Sequence, residues 1–362
     1  MMNDLTSPLV QLVMLVAEYR KPLLFFACAG LGTAGAWFIA GMAFREHLLD
    51  TPNARSSHTI PTPRGGGVGI LAAFIVAGLT LRIPSTFLFA AILISAVSFY
   101  GDYIRISVKF RLTFQVISAL IFLFPLLPRL SAQYTLSAFG AFPFPFLLVL
   151  ATIFLFLIGT ANFYNFMDGI NGIAGLGGAI GFGLLGLYTL YRPNQDPSQM
   201  PLSLLSICIA LACVGYLPFN MPRARVFMGD VGSILLGFVF AGLVVVLARN
   251  YLEMVCFASI LFPFYADELT TMAVRLRECE NLTSSHRRHL YQLLVNELGI
   301  VHWKISAAYA VAQLTIGVGA LIAYPCGVRT VLMFLTICFA GFALLTGRVR
   351  KRASKRGAPA LV

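Results

Sequence analysis

The sequence predicts an all-α, polytopic integral membrane protein with about eleven transmembrane helices and its reactive groups on the cytoplasmic face. Three observations carry this. Hydrophobic residues form 59% of the 362-residue chain and charged residues 11%, with a mean hydropathy of +0.85, far more apolar than a soluble domain. Apolar runs near 20 residues, the length that crosses a hydrocarbon core of about 30 Å, nearly fill the chain. Polar and basic clusters, finally, alternate between rich and poor loops.

The runs place helices over 23–44, 67–83, 85–100, 112–128, 145–161, 170–190, 201–217, 232–248, 251–266, 303–324 and 328–347. A further apolar stretch at 8–17 is short and has neither a basic flank before it nor a small-residue cleavage pattern after it. It reads as an interfacial segment and not as a signal peptide. The organisation is thus a single transmembrane domain over 1–362, ending in a basic tail over 347–362.

The loops that alternate from the first helix onward, together with the tail, carry nineteen of the 26 Lys and Arg. Short basic loops stay cytoplasmic, so the N-terminus is expected outside and the C-terminus inside. The net charge of +12 comes from these dispersed residues and from no basic module, which argues against a nucleic-acid partner. Seven cysteines without CxxC spacing give neither a disulfide framework nor a zinc site.

Polar side chains facing lipid are costly, so their clustering is informative. They collect in the loops expected to be cytoplasmic: "DTPNARSSHTIPTPRGGG" (50–67), "GDYIRISVKFR" (101–111), "NFYNFMDGINGIAG" (162–175), "FNMPRARVFMGDVGS" (219–233) and "ADELTTMAVRLRECENLTSSHRRHLYQ" (266–292). Asn162, Asn165 and Asp168 recur every three residues, which aligns two amides and an acid on one face if the segment is helical; the same residues also suit a turn and helix cap. Asp230, between two glycines at the start of a span, suits a magnesium ion or a helix N-cap. His286 and His289 flank Arg287 and Arg288. Without a third ligand or an HExxH pattern they do not suggest zinc; they suit phosphate charge or anionic headgroups. The glycines after Arg64 lack a preceding strand, so they read as a turn or a close backbone approach and not as a dinucleotide fingerprint. Acids for a divalent ion, amides and cations on one interface are what phosphoryl transfer requires. A transporter would set its charges near the midplane and show repeats, neither of which is found.

The motifs "PNARSSHTIPTPRGGG", "NFYNFMDGINGIAG", "FMGDVGSILLGF" and "HRRHLYQ", in this order over about 50–292, resemble the polyprenyl-phosphate N-acetylhexosamine-1-phosphate transferases of glycosyltransferase family 4. The resemblance implies transfer of a sugar 1-phosphate from a UDP-N-acetyl sugar to undecaprenyl phosphate in the bacterial inner membrane, with release of UMP and with Mg2+ (or Mn2+) as cofactor. Membrane lipids surround such a protein, and a homodimer is left open. Carried over by position, Asp230 matches a metal-ligand aspartate, Asp168 an essential active-site acid and Asn165 a polar contact beside it. Gly169, Asn171, Asn220 and Phe227 fall at the uridine pocket. Arg55 lies near a basic residue facing substrate phosphate, and His286 and His289 match the histidine motif. Arg287, Arg288 and Asn162 are further candidates for phosphate or substrate. The spaced HRRHLYQ form resembles initiators of surface polysaccharide such as O-antigen and not the peptidoglycan branch.

One motif departs from the pattern. Where the family carries two adjacent aspartates, this chain has Gly101 and Asp102. Three expectations stay open: activity with Asp102 alone as a catalytic acid, help from Glu268, or a weak or inactive homologue that binds lipid phosphate or UDP-sugar.

Overall fold

The computed structural model describes residues 8–42, 48–52, 57, 60–104, 106–135, 143–281 and 287–355. Its helices are α1 (Pro8–Ala40), α2 (Val68–Thr80), α3 (Ser85–Tyr103), α4 (Val108–Leu123), α5 (Leu127–Thr135), α6 (Pro143–Phe166), α7 (Ile173–Tyr191), α8 (Met200–Asn220), α9 (Asp230–Leu247), α10 (Tyr251–Ala258), α11 (Phe262–Arg277), α12 (Leu290–Gln292), α13 (His302–Ala323) and α14 (Val328–Lys355). Two short strands, β1 (Leu49–Asp50) and β2 (Thr62–Pro63), pair antiparallel, Leu49 opposite Pro63. The all-α polytopic class is as the sequence predicts. Among the described residues nine helices are long and apolar enough to cross a membrane.

The two remaining expected spans differ in form. Helix α2 has 13 residues, about 20 Å at 1.5 Å per residue, which is shorter than a hydrocarbon core. The run expected at 251–266 is divided: α10 ends in a 3-10 turn over Ser259–Leu261, and α11 restarts with Pro263 in its first turn. Proline has no N–H for a preceding carbonyl, so it fits a helix start and interrupts a continuous helix. The stretch at 8–17, expected as a separate interfacial segment, is instead continuous in backbone with the first span.

Helix α9 is the central pillar. All but two of its eighteen residues are buried, and it packs against α3 and α6. Its last carbonyls, which have no partner within the helix, are met by long polar side chains. Arg192 Nη2 donates to Leu247 O at 2.9 Å, Arg129 Nη2 to Val246 O at 3.0 Å and Gln199 Nε2 to Val246 O at 3.3 Å. Arg192 also pairs with Glu253 at 2.8 Å, both side chains 1% exposed. At the other end of α9 stand Asp230 and Asp102, so carboxylates flank the positive end of its dipole and arginines the negative end. The ends of α3, α6 and α8 and the starts of α4, α7 and α9 meet at that acidic end. Residues far apart in sequence thereby become neighbours.

Candidate active site

Helix α3 delivers Asp102 in its last turn. Its side chain is 2% exposed, and the two carboxylate oxygens accept the N–H groups of Asp230 and Val231, each at 3.2 Å. Arg64 Nη2 donates to the Asp102 carbonyl, and its Nε lies 4.0 Å from Oδ1. Asp102 therefore caps α9 and fixes the residue next to it, Asp230, in space. The N-cap role that the sequence offered for Asp230 is not the one found: Gly229 precedes α9 and Gly172 precedes α7, and the side chain that accepts the first N–H groups of α9 is Asp102.

Helix α4 begins at Ser107, whose hydroxyl accepts from Phe110 N at 3.2 Å. One turn on, Arg111 Nη1 lies 2.6 Å from Asp230 Oδ2. The other oxygen of Asp230 accepts from Asn165 Nδ2 at 2.9 Å, and Asn165 also donates to Ser233 Oγ at 2.9 Å. Asn165 belongs to the last turn of α6, whereas Asp168 follows the helix end. The three-residue register thus holds for the two asparagines and breaks at the acid. Asp168 keeps some solvent access yet is densely surrounded by protein. Its carboxyl is held well above the usual range, first by burial and then by the charges of Asp230 and Asp102; both effects favour the neutral form.

The Arg64 turn closes the site from the amino-terminal side. Gly65 and Gly66 donate to Phe227 O and Gly67 to Met228 O at 2.9–3.1 Å. A Cβ on Gly67 would lie 2.4 Å from Gly232 Cα, so close backbone approach is the reason for glycine there. Asn220, at the end of α8, accepts from Gly172 N at 2.6 Å and donates to Val226 O at 2.9 Å, tying the two loops together.

These elements enclose a cavity of about 270 Å³ lined by Asp50, Ser57, Arg64, Asp102, Asn165, Asp168, Gly169, Ile170, Asn220, Phe227, Gly229, Asp230 and Gln292. Seven of the residues singled out from sequence are thus brought together: Asp102, Asn165, Asp168, Gly169, Asn220, Phe227 and Asp230. Asn171 lines a neighbouring cavity of about 290 Å³ with Arg223 and His302, and Phe227 and Ser57 line both.

Other candidates lie elsewhere. Asn162 is engaged with Gln115 in reciprocal amide bonds of 2.7 and 3.2 Å. His289 is 3% exposed, with Nδ1 3.7 Å from Asp267 and Nε2 3.5 Å from Glu268; neither it nor Glu268 lines the cavity. Arg288 pairs with Glu278 and Glu280, which commits its charge to the protein, and Arg287 does not line the cavity either. Arg55 and His286 lie outside the described residues. Arg64, Arg111 and Gln292 join the site without having been singled out. Their motifs were the signal: Arg64 lies in PRGGG, Gln292 in HRRHLYQ, and Arg111 in the segment after Asp102 where Ser107, Arg111, Leu112 and Gln115 follow the family pattern.

An all-helical, multi-pass membrane protein with an acid-lined cavity where six helix termini converge is the class that fold and site define. Residues 85–248 match the profile of glycosyl transferase family 4. An undecaprenyl-phosphate alpha-N-acetylglucosaminyl 1-phosphate transferase of Salmonella typhi is 27% identical over 330 residues, 87% of this chain and 86% of that protein. A phospho-N-acetylmuramoyl-pentapeptide-transferase of a Synechococcus species is 35% identical over 236 residues, covering 60% and 67%. A decaprenyl-phosphate N-acetylglucosaminephosphotransferase of Mycobacterium leprae is 24% identical over 323 residues, covering 78% and 80%. The chain belongs to glycosyl transferase family 4, the polyprenyl-phosphate N-acetylhexosamine-1-phosphate transferases, and is a phosphoglycosyl transferase.

Proposed function

We propose that this protein transfers an N-acetylated sugar 1-phosphate from a UDP-sugar to undecaprenyl phosphate, releasing UMP, as the first membrane step of a surface polysaccharide such as O-antigen. The cavity would face the cytoplasm of a bacterial inner membrane. The observation that carries this reading is the meeting of Asp102, Asp168, Asp230 and Asn165 in one cavity. In the reaction, an oxygen of the lipid phosphate attacks the phosphorus that bears the sugar. A P–O bond to the lipid phosphate forms, the P–O bond to the uridylyl phosphate breaks, and UMP leaves with the bond's electron pair. A lipid phosphate is already anionic near neutral pH, because its second pKa is about 6. Alignment and charge neutralisation therefore matter more than a strong base.

The donor set fits magnesium. Among the described residues no group of three or more His, Cys, Asp or Glu converges as a metal cage, but magnesium usually takes one or two carboxylates and completes its shell with water and substrate phosphates. Asp230 would hold the ion, with Asp168 beside it, and the ion would neutralise charge on the diphosphate. Asn165 orients Asp230, Asp102 fixes the backbone that carries it, and Arg64 and Arg111 add positive charge along the same wall.

The spaced HRRHLYQ motif supports surface-polysaccharide initiation over the peptidoglycan step, although relatives of both kinds match. Purified protein with undecaprenyl phosphate and magnesium should release UMP from at least one member of a UDP-sugar panel that includes the muramoyl-pentapeptide donor. Activity with that donor alone would reverse the branch assignment. Silence across the panel, with UDP-sugar binding intact, would instead mark a non-catalytic homologue.

A further inference from the structure

The histidine-motif segment lines the cavity through Gln292 and backs its wall through Tyr291, and His289 does neither. Its anchor is Asp267 on α11, a fully buried carboxylate. It accepts the Leu290 N–H at 2.7 Å, the Tyr291 N–H at 3.4 Å, the Tyr309 hydroxyl at 2.6 Å and the Thr271 hydroxyl at 3.3 Å. Four donors use up the acceptor capacity of one carboxylate. Elements α11, α12 and α13 are joined at this group.

From there the connection runs to the cavity wall. Tyr291 is 1% exposed, and its hydroxyl donates to Phe166 O at 2.9 Å, two residues before Asp168. Gly169 leaves room for the same hydroxyl, since a Cβ there would sit 2.1 Å from it. The His289 ring stacks on Tyr291, centroids 5.6 Å apart and planes 11° from parallel. Gln292 accepts the His289 N–H at 3.3 Å and lines the cavity. His289 thus packs behind Tyr291, on the side held by Asp267 and Glu268.

We infer that Asp267 and Tyr291 are positioning residues: Asp267 fixes α12, and the Tyr291 hydroxyl in turn fixes the 166–169 turn that presents Asp168 and Gly169 to the nucleotide half of the donor. This rests on the proposed transfer from a UDP-sugar and on the place of Gly169 at the uridine pocket that the family resemblance implies. If the lipid phosphate binds away from this turn, a defect in the relay falls on the donor alone. A general structural role would affect both substrates alike.

The test uses the purified full chain with undecaprenyl phosphate and the best UDP-sugar for wild type, comparing Tyr291→Phe, Asp267→Asn and the double variant. Tyr291→Phe should raise the donor KM about fivefold to tenfold, the size of one net hydrogen bond, with lipid KM unchanged and Tm lowered only by the loss of that one bond. Asp267→Asn should give the same split, and the double variant should be no worse than the poorer single one. Equal effects on both substrates, or full additivity, would overturn the inference. If Asp267→Asn does not fold, Tyr309→Phe, which removes one donor from the carboxylate, takes its place. Hydrogen exchange reads the relay without turnover: Tyr291→Phe should speed exchange of the 167–172 amides. Unchanged exchange sinks the positioning role, whereas a wild type inactive with every UDP-sugar counts against the donor assignment alone.

Discussion

Arg111 Nη1 lies 2.6 Å from Asp230 Oδ2, while its Nη2 is 4.0 Å from where a Cβ on Gly101 would stand. The glycine sits where the family pattern carries an acid, and the arginine beside it pairs with the proposed metal-ligand aspartate. Gly101→Asp would supply a second carboxylate for Arg111 and loosen its hold on Asp230. The new Cβ would press on Ile106 Cδ1 at 2.9 Å, the free end of a side chain that can rotate away. UMP release should be preserved or raised, with half-maximal activity at lower magnesium. A loss of more than about tenfold in folded protein would refute this account of Gly101.

Asp102→Asn should behave in the opposite way. Replacing the carboxylate by an amide removes the negative charge from the start of α9 and turns one donor toward the N–H of Asp230 or Val231. Hydrogen bonds to a charged group contribute about 1.5–3 kcal/mol each, so transfer should fall by about 100-fold or more. Retention of full activity would show that this acid neither reacts nor holds Asp230 in place.

How much of this was legible in the sequence depended on the range of the interaction concerned. The apolar runs gave the helical class because crossing a bilayer is a local requirement of about 20 residues. The acids were legible because carboxylates are conspicuous in an apolar chain, and Gly67 because its close-approach reading needs only a small residue. Pairings across sequence were not. Asn162 and Asn165 look alike as local signals, yet one meets Gln115 and the other Asp230, a difference set by which helix packs against each turn. Similarly, His289 resembles a ligand in sequence, and only the packing of α11 reveals Asp267 and Glu268 behind it. The break at Ser259–Leu261 was signalled by Pro263 but overridden by the apolar run around it.

The far end of α9 offers a stability prediction separate from catalysis. Glu253 is fully buried and neutralises Arg192, and Arg249 also donates to it through Nε and Nη2 at 2.9–3.2 Å. Glu253→Gln leaves Arg192 as an uncompensated buried charge, a change that costs about 3–5 kcal/mol where one partner of a buried pair is removed. Thermal unfolding in detergent should shift clearly downward. At a permissive temperature the KM values should stay near wild type, because the cavity lies at the opposite end of the pillar; a selective change in donor KM would contradict that separation.

Asn162 and Asn165 provide the closing contrast, being one helical turn apart on α6 with opposite expected consequences. Asn162 is engaged by Gln115 and by the Ile158 carbonyl at 2.8 Å, so Asn162→Ala strands the buried Gln115 amide. Leaving such a group unsatisfied costs about 1–3 kcal/mol, which should lower Tm while leaving both KM values unchanged. Asn165→Ala instead removes the donor that orients Asp230, while the Ser233 hydroxyl still donates to Gly229 O at 3.0 Å. Stability should then change little, while kcat falls by about tenfold to 100-fold, as expected for a carboxylate free to leave its working geometry. UMP release and thermal unfolding measured on the same two preparations decide the matter. An Asn162→Ala variant of normal stability with a raised donor KM would return that residue to the substrate site.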